Sequence, residues 1–326
     1  MLYASMLFRS LDPRDDHFRL IEKLALKPEL SFESGWARYT LKQHRQMADI
    51  ISDRFPGASV HLPYAGLYPD QEESVKAKKE LMLKAVETAG LYNPDHLIGH
   101  PGFRGISDSV LGRKKFPGFK RTDLEGLGQT PALWWLEQTT ELWGAVLENT
   151  EAKLYLENTQ EHSPCPLLIL LDKLGPEASF CLDFGHWFHY AMGRHWDNLD
   201  HWLELSAAKL SHVHVHDNNG ESDQHRALGD GLIDYRKISA LLRKHSLQPT
   251  MTLENHFAED LKKSCAYLGQ NPLWIKSNER QNYNQPLSCS PFTVISGQED
   301  PEKREFTQAE DLAEEISRPT EAAGGF

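Results

Sequence analysis

The stretch SHVHVHDNNGESDQHRALGDGLIDY, Ser211 to Tyr235, gathers His212, His214, His216, Asp223 and His225 into one short segment. Imidazoles and carboxylates at this density are the donors of a divalent metal site or of an acid–base pair. The His-Val alternation has a period of two, which predicts a strand with His212, His214 and His216 on one face. Three imidazoles on one strand face need partners for six ring nitrogens, and packing alone does not provide them. Asp217-Asn218-Asn219-Gly220 then opens a loop that brings Asp223 and His225 back toward the same strand end.

Similar residues recur at other apolar runs: Val60-His61-Leu62-Pro63-Tyr64, Gly99-His100-Pro101-Gly102, Leu156-Glu157-Asn158-Thr159, Cys181-Leu182-Asp183-Phe184-Gly185-His186 and Leu253-Glu254-Asn255. Taken singly, a strand histidine is more often a hydrogen-bonded core residue, and a strand-end Glu often pairs with Lys or Arg. Taken together these strand-end motifs contain no Lys or Arg, so their carboxylates, four with Asp223 from the loop after the seventh strand, converge without a cation among the motifs. Divalent ions would supply it, and mixed His/carboxylate donors point first to zinc, with manganese, iron or cobalt as alternatives.

The elements that must position these groups alternate. Strands are expected at Leu2 to Phe8, Glu29 to Glu33, Ala58 to Pro63, His96 to His100, Lys153 to Glu157, Ser179 to Asp183, Leu210 to His216 and Thr250 to Glu254. Helical patterns cover Asp12 to Leu26, Leu41 to Arg54, Glu72 to Ala89, Ala132 to Glu148, Asp197 to Ala208, Tyr235 to His245 and Ala258 to Leu268. Eight such repeats predict an α/β fold of the (β/α)₈ TIM barrel type, whose C-terminal strand ends line the active site. No GxGxxG follows the first strand to favour a doubly wound sheet instead. The barrel is assigned residues 1–270, and residues 271–326 a polar C-terminal extension that wraps the barrel or is partly disordered. Residues 101–131 form a long connection richer in basic residues than its surroundings, Arg104 among them, readable as a lid, a phosphate clamp or a solvated excursion.

HLPY, HPG, LENT, CLDFGH, HVHD, DQHRALGDG and LEN, in that order, resemble the superfamily of endonuclease IV and the xylose isomerase-like TIM barrels. The resemblance implies one metal held by Glu157, Asp183, His214 and Glu254, with Glu157 and Glu254 as the acid/base pair in isomerases and epimerases. It further implies His61 and His100 beside the shared Glu157 for a second ion, and His186, Asp223 and His225 for a third, as in the endonuclease IV branch. His214 fits the family's H-x-x-D spacing to Asp217, while a register shifted by one pair would put His216 in its place. Otherwise His216, with Tyr64, Trp187 and Arg104, is a candidate substrate contact. The glycine-rich segment that follows the first strand in endonuclease IV is missing after Leu2 to Arg9, and aromatics crowd the proposed mouth, which suits a ring-bearing small molecule better than duplex DNA.

Three divalent ions against four carboxylates would leave a net charge of about +2, suited to a phosphoryl-like transition state. The leading expectation is therefore a metal-dependent phosphoesterase acting on a phosphate-bearing small molecule. The main alternative is a sugar or sugar-phosphate isomerase or epimerase using one ion, which would leave the site negative and suit proton transfer on a neutral sugar. Abasic-site cleavage, a cobamide-type phosphodiesterase and a non-catalytic metal- or ligand-binding barrel are further readings.

Net charge is −12 at pH 7, but nine acidic and three basic residues in 298–326 account for half of it, so acidity argues only weakly against a nucleic-acid partner. Four cysteines without CxxC spacing suit a reducing setting. No signal-peptide pattern or long apolar run is evident, and the expectation is a cytoplasmic protein without a membrane partner.

Overall fold

A computed structural model describes residues 2–33, 35–64, 67, 72–102, 131–159, 161, 164–191, 197–271 and 273. Eight parallel strands close into a barrel in sequence order. They are β1 (Leu2–Leu7), β2 (Lys27–Ser31), β3 (Ser59–His61), β4 (His96–Gly99), β5 (Lys153–Glu157), β6 (Ala178–Asp183), β7 (Leu210–Val215) and β8 (Thr250–Leu253). Closure is made by β1 on β8, with Leu2 opposite Met251 and Ala4 opposite Leu253. All eight expected strands are present. The second runs from Lys27 to Ser31, earlier than expected, and this places Glu29 inside the strand and Glu33 beyond its end.

The described helices are α1 (Asp16–Lys23), α2 (Leu41–Arg54), α3 (Glu72–Gly90), α4 (Pro131–Glu148), α5 (Cys165–Leu174), α6 (Phe184–Ala191), α7 (Asp197–Ser206), α8 (Tyr235–Lys244) and α9 (Ala258–Gln270). Two of them were not expected. In α5 the LLILL run carries no helical periodicity because its leucines are nearly all buried. Helix α6 starts directly at the end of β6, where Asp183 Oδ1 accepts the backbone N–H of His186 at 2.5 Å and so caps the first turn. The basic connection after β4 and nearly all of the C-terminal extension lie outside the described residues.

Apolar side chains fill the layer between strands and helices, with Trp143, Trp202, Phe180 and Phe184 among the largest fully buried groups. Trp143 of α4 presses on the end of β4, where a Cβ on Gly99 would lie 2.1 Å from the indole Cη2. Gly99→Ala is therefore expected to lower stability by about 1–3 kcal/mol through overpacking, read as a lower midpoint in thermal or urea unfolding.

The barrel interior departs from the usual aliphatic filling. Tyr3 touches His96 with ring centroids 4.9 Å apart, and His96 touches His212 at 4.8 Å. These rings come from β1, β4 and β7, which are not neighbours, so the contacts cross the lumen. His212 is satisfied by hydroxyls, its Nδ1 lying 2.6 Å from Thr250 Oγ1 and its Nε2 2.9 Å from Thr252 Oγ1. This polar floor lies beneath the strand ends that carry the expected site.

Candidate metal centre

The three histidines of β7 occupy three depths. His212 belongs to the floor, His214 lies above it, and His216, just past the strand, reaches the mouth. His214 Nδ1 is 3.2 Å from both Glu157 Oε1 and Glu254 Oε2, and 3.8 Å from Asp183 Oδ2. The four residues expected around one ion thus converge from β5, β6, β7 and the end of β8. His216 Nε2 faces Asp183 Oδ2 at 3.3 Å and Asp223 Oδ1 at 3.4 Å, so it stands between this group and the outer one. Its ring lies against the backbone at Gly185, where a Cβ would come within 2.0 Å of His216 Cε1.

Glu157 is fully buried and spans two groups. Its Oε2 lies 3.0 Å from His61 Nε2 and 3.0 Å from His100 Nε2, while its Oε1 faces His214 and, at 3.3 Å, His186 Nδ1. A third group forms where Asp223 Oδ2 meets His186 Nε2 at 3.1 Å and His225 Nε2 at 3.0 Å. All nine side chains are therefore brought together in one continuous cluster. Among the described residues, the ion pairs made by these carboxylates all involve imidazoles, and neither Lys nor Arg takes part.

Several of these rings are oriented by backbone. His61 Nδ1 lies 3.1 Å from the Leu62 carbonyl, His186 Nδ1 2.9 Å from that of Asn158, and His225 Nδ1 3.0 Å from that of Glu254. A carbonyl can only accept, so each Nδ1 carries a proton and each Nε2 faces the carboxylates. This is the arrangement by which an outer group fixes a metal-ligating imidazole. Other buried atoms here have no hydrogen-bond partner: both ring nitrogens of His100, His214 and His216, Glu157 Oε1, Asp183 Oδ2 and Glu254 Oε2. Unsatisfied buried polar atoms are rare and costly, and their concentration at one point fits a divalent ion with mixed N/O donors.

Burial opposes charge throughout the cluster, yet ionic contacts prevail. His100 is pushed up to about 10 by Glu157 and Glu33, and His225 to about 10 by Glu254 and Asp223, against desolvation in both cases. Glu157 and Glu254 are held well below the ordinary carboxylate range despite burial, His214 being the foremost ionic cause for each. Without an ion the imidazoles thus hold protons that a metal must displace. Metal uptake is expected to release protons and to tighten as pH rises from 6 toward about 10. Calorimetry in two buffers of different ionisation enthalpy checks this, and a buffer-independent heat at pH 7 would contradict it.

Several residues near the site were not anticipated from the sequence. Glu33 Oε1 lies 3.4 Å from His100 Nδ1. Glu29 Oε1 lies 3.1 Å from His214 Nε2. Burial pushes the Glu161 carboxyl up to about 7, beside the accepting contact it makes with the Thr159 N–H. His256 stacks on His225 with centroids 4.2 Å apart. Glu33 ends the Glu-Leu-Ser-Phe-Glu run that begins inside the second strand, two residues past its end, and shares the signal that marked the later strand ends.

Of the candidate substrate contacts, Tyr64 is half exposed and its ring lies 5.7 Å from that of His100. Trp187 is only 4% exposed and belongs to the hydrophobic core, which leaves it little surface to offer a substrate. Trp36, in the loop after β2, is likewise buried and stacks on Phe32. Arg104 lies outside the described residues.

The profile of the xylose isomerase-like TIM barrel family matches residues 18–273, and the chain belongs to that family. Among solved structures, a D-tagatose 3-epimerase-like protein aligns with a TM-score of 0.60 at 19% identity, covering 83% of this chain and 96% of that one. The TTHB071 protein from Thermus thermophilus, soaked with zinc chloride, aligns with a TM-score of 0.58 at 22% identity, covering 83% and 97%. At these identities the likeness establishes the shared barrel. The uncharacterized protein MJ1614 of Methanocaldococcus jannaschii is 34% identical over 92 residues, 28% of this chain, and the match spans about a third of that relative's length. Among the described residues, no helix is long and apolar enough to cross a membrane.

Proposed function

We propose that this protein is a metal-dependent isomerase or epimerase of a sugar or sugar phosphate, working at the group formed by Glu157, Asp183, His214 and Glu254. The observation that carries this reading is the convergence of Glu157 and Glu254, from different strands, on the same His214 nitrogen at 3.2 Å each. Two carboxylates flanking one position can take a proton from a carbon beside a carbonyl and return one to it, as interconversion of neighbouring stereocentres requires. A divalent ion held by the four residues would polarise the substrate oxygen. One such ion leaves the site negative, which suits a neutral polyol better than a phosphodiester. The likeness to a D-tagatose 3-epimerase-like protein supports this reading over the phosphoesterase expected first from the sequence.

The test is solvent exchange. Manganese- or cobalt-loaded protein in D₂O, given a panel of ketoses and their phosphates, is expected to yield deuterium beside the carbonyl and the corresponding epimer or isomer. Glu254→Gln should abolish both. No exchange with any member of the panel, with metal shown to be bound, would overturn the reading.

A phosphoesterase remains the second reading because of one specific observation. His61 and His100 on one side, and His186, Asp223 and His225 on the other, form donor groups that a single-ion isomerase does not need. Further ions there would turn the site positive and favour an anionic transition state. Hydrolysis of bis(p-nitrophenyl) phosphate, lost in His225→Ala and His61→Ala while sugar exchange is absent, would establish it instead.

A further inference from the structure

Glu29 lies within β2, in the barrel interior directly beneath His214. It is 1% exposed, and its Oε1 stands 3.1 Å from His214 Nε2, a buried nitrogen that makes no hydrogen bond elsewhere. The opposite nitrogen of the same ring, Nδ1, faces Glu157 and Glu254 at 3.2 Å each. The imidazole therefore stands between one carboxylate below and the proposed ligand carboxylates above.

Two hydroxyls hold Glu29 in place. Ser59 Oγ donates to Oε2 at 3.1 Å and Thr252 Oγ1 at 2.9 Å. Ser59 is the register partner of Glu29 on β3, and Thr252 is the register partner of His214 on β8. The strand ladder itself thus sets Glu29 against His214.

His61, His186 and His225 each have Nδ1 fixed by a backbone carbonyl and face the site through Nε2. In His214 the roles are reversed, with Nδ1 toward the site and a side-chain carboxylate behind Nε2. We propose that Glu29 is a positioning residue: when an ion is bound, it accepts the Nε2–H of His214 across this 3.1 Å contact, so that the Nδ1 lone pair is held toward Glu157, Asp183 and Glu254. A neutral imidazole has one N–H and two tautomers, and a carboxylate behind one nitrogen selects the tautomer that leaves the other free to bind metal. This inference rests on the reading that His214 is a metal ligand.

A competing role is an ion on the floor, because Glu29, His96 and His212 have donor atoms within 4.8 Å of one another. The hydroxyls argue against it. Both nitrogens of His212 face threonine hydroxyls, and Glu29 Oε2 already accepts two hydrogen bonds.

Zinc affinity, measured by competition with a chromophoric chelator, is compared for the wild type, Glu29→Gln, Glu29→Leu, His214→Ala and His96→Ala, each checked for folding by circular dichroism. Glu29→Gln is expected to weaken zinc about 10–100-fold, and Glu29→Leu at least as much. His96→Ala should bind as the wild type does. In the zinc-loaded protein, the slowly exchanging Nε2–H proton of His214, assigned by proton–nitrogen NMR, should shift or vanish in Glu29→Leu. Weakening by His214→Ala together with unchanged affinity in Glu29→Gln and Glu29→Leu would overturn the positioning role while sparing His214 as a ligand. Unchanged affinity in His214→Ala would overturn the underlying reading. A loss in His96→Ala equal to that in Glu29→Gln would assign the ion to the floor and overturn the proposal.

Discussion

Glu157→Gln retains the barrel but loses tight divalent binding, by at least about 100-fold, and with it any proton transfer at the site. The expectation follows from position. One fully buried carboxylate serves His61 and His100 through Oε2 at 3.0 Å, and His214 and His186 through Oε1 at 3.2 and 3.3 Å. Orienting groups one layer out already change metal affinity about 10–100-fold, and a direct ligand carries more. Glutamine has the shape but not the charge, and its NH₂ would point at one of the two imidazole pairs. The four rings lose the anion that supports their protonation, so the metal-free variant is also expected to be less stable, on the order of 3 kcal/mol. Chelator competition measures the first effect and urea unfolding of the metal-free protein the second. Wild-type affinity in a folded Glu157→Gln protein would contradict the account.

Asp217→Ala is expected to dismantle the loop that delivers Asp223 and His225, while leaving the inner donors in place. Asp217 is fully buried at the end of β7. Its Oδ1 accepts the N–H groups of Asn218 and Ile233 at 2.9 and 3.0 Å, and its Oδ2 that of Gly229 at 2.9 Å. Its backbone also pairs with Arg226 in both directions, at 2.9 and 2.8 Å. One side chain therefore closes the segment 217–233 on itself and holds it while His225 adopts a φ of +48°, unusual for a residue with a side chain. Alanine would strand three N–H groups, each costing about 1–3 kcal/mol if it stays buried. A lower unfolding midpoint is expected, with retention of the ion bound by Glu157, Asp183, His214 and Glu254. Equal loss of all bound metal would mean that the loop and the inner group are one cooperative site.

Much of this arrangement was legible in the sequence. All eight strands could be read because each apolar run is bounded by polar turns, and the clustering of the nine side chains could be read because seven fall at or just past strand ends, where a barrel gathers its functional groups. The strand-register question at His214 and His216 is a question of depth. Both rings face the cluster, but His214 contacts the inner carboxylates and His216 the boundary with Asp223. Glu29 was hidden for a different reason. It lies in a short strand that begins two residues before the expected start, and its partner His214 is brought to it only by barrel closure. Trp187 is a candidate contact in the sequence because aromatics cluster near those motifs, whereas packing within the core takes it inward. Helix α5 was missed because a helix buried on most sides loses the periodic contrast that reveals a half-exposed one.

The proposed chemistry and the role of Glu29 both require a divalent ion held by Glu157, Asp183, His214 and Glu254. Elemental analysis after zinc loading and desalting tests it most directly, comparing the wild type with His214→Ala and Glu254→Ala. At least one tightly held ion per chain is expected in the wild type, with loss of that ion in both variants. A wild-type protein that retains no ion, or variants that retain the full complement, would contradict it.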